Sequence, residues 1–136
     1  MIIKIAPVKE KVRSMIRLIE DREKFISSVV HTINTEEFST IIAETYYEII
    51  KELATAVLLS EGFKATGENA HKDLMDYLSN YREFSEDEVI LLNDLRIKRN
   101  KSSYEGKEID KSYLENKKDK LLIIIKKLKK LVDSKL

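Results

Sequence analysis

The segment LNDLRIKRNKSSYEGKEID, residues 92 to 110, sets Arg96, Lys98, Arg99 and Lys101 within six positions and then closes on Tyr104 and Gly106. Residues three or four apart share a face of a helix, so Arg96 lies with Arg99 and Asn100 with Tyr104. Arg99 and Tyr104 are five apart and point partly different ways. They converge only where the last turn loosens or where a second copy of the helix lies alongside. A planar guanidinium beside an amide and a phenol suits a phosphate with an attached base or sugar. The arginine supplies charge in a fixed fork, the asparagine hydrogen bonds, and the tyrosine a stacking surface. Lys98 and Lys101 are either solvated or make phosphate contacts that add affinity without selectivity.

The rest of the chain offers little competing chemistry. Its two histidines, His31 and His71, stand 40 residues apart with no paired ligand spacing, so neither a metal nor a cofactor is expected. There is no cysteine, hence no disulfide, thiolate nucleophile or cysteine-based zinc site. A Gly-rich phosphate loop and a G-x-S-x-G turn are both missing from the sequence. His71 is expected to orient a helix start. Tyr46 and Tyr47 read as core and rim residues.

Such a site needs a rigid frame, and the composition points to helices. Charged residues make up 36% of the 136 positions while Gly numbers 3 and Pro 1, so the charge reads as helix surface and not as disorder. The length fits one core and one domain, residues 1 to 136. No stretch approaches the 18 apolar residues of a membrane span, and the start is too short for a signal segment, so a cytoplasmic protein without membrane contact is expected. Residues 1 to 95 hold 11 Lys and Arg against 18 Asp and Glu, whereas residues 96 to 136 hold 14 against 6. That asymmetry implies either a basic face for phosphates or two halves that attract one another.

Five helices follow from periodicity and caps. Pro7 suits a first turn, and an apolar stripe from Val8 runs to about Thr32. Asn34 or Thr35 with Glu36 and Glu37 signals the start of a central helix that stops at Gly62. A short helix carries Leu74, Met75 and Leu78 inward. Ser85 and Glu88 form a capping box for the helix bearing the basic cluster, which Gly106 ends. The last helix runs from near Asp110 or Ser112 to about Val132, and its five apolar residues, Leu121 to Ile125, need burial on more than one side and fit a bundle or a dimer interface. No strand is expected.

RNKSSY, closing a long helix and followed by EG, resembles the signature of the HEPN superfamily of small all-α domains, an Arg, often a polar residue, then a His four to six positions after the Arg. IIAETYYEIIKELATAVLLSEGF and then AHKDLMDYL are similar in kind to that family's second helix and the His-containing turn after it. The resemblance spans approximately residues 36 to 130. It implies an up-and-down bundle of four to five helices that dimerises with the motif helices of two subunits facing across a cleft. In active relatives the Arg and His cleave RNA without a metal, and many members sit beside nucleotidyltransferase partners in toxin–antitoxin pairs. Carried over, Arg99 matches the Arg, Asn100 the polar residue, and Tyr104 occupies the His position. A phenol of pKa near 10 is ionised in about one part in a thousand at pH 7, which makes Tyr104 a poor general base.

The leading expectation is therefore a homodimeric, HEPN-like RNA- or nucleotide-binding protein of a HEPN/nucleotidyltransferase type system, with a degenerate ribonuclease motif. Its binding residues are Arg96, Arg99, Asn100, Lys101 and Tyr104. Two alternatives stand beside it. One is an active metal-independent endoribonuclease using Arg99 and Tyr104, the other a non-catalytic helical interaction module.

Overall fold

The computed structural model describes residues 1 to 136, and it is an all-α bundle with one two-stranded sheet. Its elements are β1 (Ile2–Lys4), α1 (Lys9–Val30), α2 (Ser39–Glu61), β2 (Phe63–Ala65), α3 (Ala70–Tyr77) with a 3-10 turn (Leu78–Asn80), α4 (Glu86–Glu105) and α5 (Lys111–Ser134). No helix is long and apolar enough to cross a membrane.

α2 is the axis of the core. It packs against α1, α3, α4 and α5, so it buries residues all round and not along one stripe. Tyr47, Ile49, Ile50, Leu53 and Val57 are sealed, and Ala43, Ala54 and Ala56 allow close helix approach. α1 shows the one-sided pattern, with Val12, Ile19 and Ile26 buried at seven-residue steps. α4 and α5 bury Leu91, Leu92 and Leu95 and Leu121, Ile124, Ile125 and Leu128 respectively.

Both helix stops proposed at glycine are present, Gly62 at φ 85° and Gly106 at φ 68°, each in the left-handed region open to glycine. The Ser85/Glu88 capping box is complete, with both reciprocal bonds formed. Glu88 also receives Lys127 of α5 at 2.8 and 2.9 Å, which ties the start of α4 to its neighbour.

Three expectations are corrected. Asn34 does not start α2. Its Oδ1 accepts the Glu36 N–H in a local turn, and α2 begins at Ser39 without a side-chain cap. What fixes that start is a distant contact, Ser39 Oγ donating to Ile109 O at 2.8 Å and Ile109 N–H donating to Thr40 Oγ1 at 2.9 Å. Pro7 lies ahead of the first turn of α1, which begins at Lys9. Two strands exist, paired antiparallel with Ile3 opposite Lys64. Within the apolar run of α5, Leu122 and Ile123 face solvent.

The charge asymmetry is satisfied inside the chain only in part, by four ion pairs. Lys111, Lys127, Lys129 and Lys135 from the basic part pair with Glu36, Glu88, Glu23 and Glu61 from the acidic part. The cations of α4 take no part in this exchange, nor do six other lysines of the basic part.

Candidate functional site

α4 carries its basic residues on three faces. Lys98 turns toward α5 and sits 4.8 Å from the centre of the Tyr113 ring. Lys101 is exposed. Arg99 turns inward onto α2, where its Cζ lies 5.6 Å from the centre of the Tyr47 ring, within the range of a cation–π contact. Arg96 lies on the flank facing α3. Its Nε donates to Asn93 Oδ1 at 3.1 Å, and the Asn93 amide donates to Asp76 Oδ1 at 2.8 Å. Asp76 is bonded in turn by Lys72 at 2.6 Å, and that bond leads in holding its carboxyl below the usual carboxylate range.

Neither Arg96 nor Arg99 joins any ion pair of the chain. They are half-buried and held in place, yet their charge is not neutralised at close range. A guanidinium in that condition keeps its capacity for a bidentate anion contact.

The surroundings register this charge. The Tyr47 hydroxyl is buried with no hydrogen-bond partner. Burial, opposed by the fields of Arg99 and Arg96, pushes its pKa up to about 12, so it stays protonated. On the next turn Lys51 pairs with Glu48 at 2.8 Å. Burial pushes the Glu48 carboxyl up, but the bond and charge of Lys51 and the field of Arg99 outweigh it and the carboxyl ends lowered. His71, in the first turn of α3, has its pKa lowered by burial first, then by Lys51, Arg99 and Arg96, with Glu48 opposing.

The structure thus sets Arg99 against Tyr47, and the charges of Arg96 and Arg99 reach Tyr47 and His71, that of Arg99 Glu48 as well. It does not bring Tyr104 to them. The Tyr104 ring is 81% exposed near the end of α4, so it packs on no neighbouring helix within the chain. Asn100 is half-buried on the flank between Arg96 and Tyr104, and the hydroxyls of Ser102 and Ser103 both turn to Glu44. No group of three or more His, Asp and Glu is placed to hold a metal ion.

Tyr47, Lys51 and His71 are the site residues that reading the motif missed. A signal was present in α2, where Glu48, Lys51 and Glu52 interrupt a helix otherwise apolar on nearly every side. Charges there need partners from the neighbouring helices. No family model, curated protein or solved structure matches the chain.

Proposed function

We propose that this protein is a HEPN-like binder of RNA or nucleotide phosphate whose ribonuclease motif is degenerate. The observation that carries the reading is the pair of fixed, half-buried guanidiniums, Arg96 and Arg99, neither of which makes a direct ion pair with a carboxylate of the chain, with the charges of both reaching His71. Asn100 stands on the adjoining flank to add hydrogen bonds, and exposed Lys101 and Tyr104 extend the surface with charge and a stacking ring. Tyr104 shares no site with Arg99 inside one chain, and as a phenol it is a poor base, so binding without cleavage is the expected behaviour.

Self-association is part of the proposal. α4 carries a stripe of Ile90, Asp94, Ile97, Lys101 and Tyr104, spaced at four- and three-residue steps and exposed except for half-buried Asp94. Ile90 is 59% and Ile97 44% exposed. Two antiparallel copies of α4 crossing at Ile97 set Asp94 of each against Lys101 of the other, so the stripe is self-complementary. A nucleotidyltransferase-type protein is the partner such a dimer would serve.

The test is incubation of the purified protein with labelled single-stranded RNA in EDTA, beside Arg99→Ala. Binding without cleavage, weakened in the variant, supports the proposal. Cleavage that disappears in the variant replaces it with a metal-independent ribonuclease. If the wild-type protein binds neither RNA nor nucleotide at low salt, the reading fails and an interaction module is left.

A further inference from the structure

Between α2, β2 and α3 lies a pocket of about 170 Å³, lined by Lys51, Lys64 and His71 above an apolar floor of Leu58, Ala65 and Leu74. Three elements contribute a basic residue to its lining, and no carboxylate lines it. Lys51 is only 19% exposed and shares its charge with Glu48, while Lys64 is exposed and joins no ion pair. The pocket was not part of the motif on α4, yet Arg96 and Arg99 act on the same histidine that lines it.

We infer that this pocket is a subsite for a terminal phosphomonoester, the end group of the RNA or nucleotide whose remaining phosphates Arg96 and Arg99 hold. The inference rests on the proposed function and names its substrate class. Size is the first reason. A space of 170 Å³ equals the share of about five or six waters, room for a phosphoryl group but not for a nucleotide, and its apolar floor offers nothing to a strand running on. Charge is the second. A phosphomonoester carries close to two negative charges at neutral pH, where a backbone diester carries one, and two lysines with an imidazole that can take a proton match the former.

His71 makes the match conditional on the ligand. Lys51 of α2 and Lys64 of β2 line the same pocket, and the charges that reach the ring are those of Lys51 and Glu48 of α2 and Arg96 and Arg99 of α4. With the pocket empty, burial first and then the neighbouring cations hold the imidazole toward its neutral form. A dianion among them reverses the local field and favours the imidazolium, so binding takes up a proton.

The experiment compares short oligouridylates carrying a 5′-phosphate, a 3′-phosphate or neither, by calorimetry, on the wild-type protein, Lys64→Ala, His71→Gln and Arg99→Ala. In parallel, NMR follows the His71 ring with inorganic phosphate. One phosphorylated oligomer is expected to bind about tenfold tighter than the unphosphorylated one. Lys64→Ala should erase that preference while leaving the binding of unphosphorylated RNA, and His71→Gln should erase the preference as well. Arg99→Ala should weaken all three oligomers. Phosphate should raise the His71 pKa, and Lys64→Ala should blunt the rise. Equal binding of the three oligomers by the wild-type protein, with Arg99 still required, overturns the subsite and leaves the proposed function standing. A wild-type protein that binds none of them ends the proposed function. In that case a His71 ring indifferent to phosphate ends the subsite as well, whereas a shift that Lys64→Ala blunts supports it alone.

Discussion

The Arg99 guanidinium lies 5.6 Å from the centre of the Tyr47 ring, so the arginine of the α4 motif looks into the molecule while Tyr104, five residues on, looks out. The position of one residue on a helix wheel therefore separates two side chains that the motif sets close in sequence. The ring beneath Arg99 steers the cation but leaves its N–H groups for an incoming anion.

Tyr47 itself gives the first prediction. Its hydroxyl is buried without a partner, and such a group costs about 1 to 3 kcal/mol of desolvation that nothing in the chain repays. Tyr47→Phe is expected to leave the fold intact and to raise stability by about 1 kcal/mol, read from denaturant unfolding. A loss of stability would mean that the hydroxyl has a partner after all.

Alkaline titration gives a second. The Tyr47 pKa is about 12 in the folded state and near 10 when unfolded, so between these values the unfolded chain releases a proton that the folded chain keeps. Stability should be intact below pH 10 and fall as pH rises from 10 toward 12, with part of the phenolate absorbance appearing only on unfolding. Tyr46, Tyr81 and Tyr113, raised chiefly by burial, act in the same direction. His71 works at the other end. Its folded pKa is lowered, so its contribution is complete above the ordinary histidine value near 6.5 and is lost as pH falls below it. His71→Gln should flatten that acid limb, as measured by urea unfolding at a series of pH values.

The two helix-ending glycines should respond differently to alanine. A Cβ on Gly106 meets nothing within 4 Å, so only the left-handed backbone is penalised, by about 1 to 2 kcal/mol. A Cβ on Gly62 would stand 2.8 Å from the Ile5 carbonyl oxygen, where the N-terminal segment crosses and Ile5 N–H donates to Gly62 O at 2.7 Å. Gly62→Ala should therefore be the more destabilising in thermal unfolding, and it should loosen β1.

The exposed stripe on α4 gives a fourth prediction. Ile97→Glu puts like charges together where two copies are proposed to cross, and Ile97 is surface in the single chain. The variant should fold normally and sediment as a monomer at concentrations where the wild-type protein is dimeric. A wild-type protein that is monomeric at every concentration tested would remove the dimer from the proposal.

What the sequence made legible follows from where each determinant resides. α4 was readable at both ends because Ser85, Glu88 and Gly106 act within one turn of themselves. The start of α2 was not, because the bonds that fix Ser39 and Thr40 come from Ile109, about 70 residues away. β1 and β2 are three residues each and owe their pairing to the close approach of the N-terminal segment to Gly62, which no local pattern encodes. At the site, Arg96 and Arg99 stood out by residue type. Tyr47, Lys51 and His71 join them only through the packing of α2, α3 and α4, and Tyr104 leaves them for a reason of helix geometry alone.

The most direct measurement of the central claim is the salt dependence of RNA binding by the wild-type protein and by the double variant Arg96→Ala/Arg99→Ala, followed by fluorescence anisotropy. The account predicts that the wild-type protein binds single-stranded RNA more weakly as salt rises. It also predicts that the double variant loses affinity and has a log–log slope shallower by about 1.4, the share of two phosphate contacts. A folded double variant that binds with wild-type affinity and wild-type slope would contradict it.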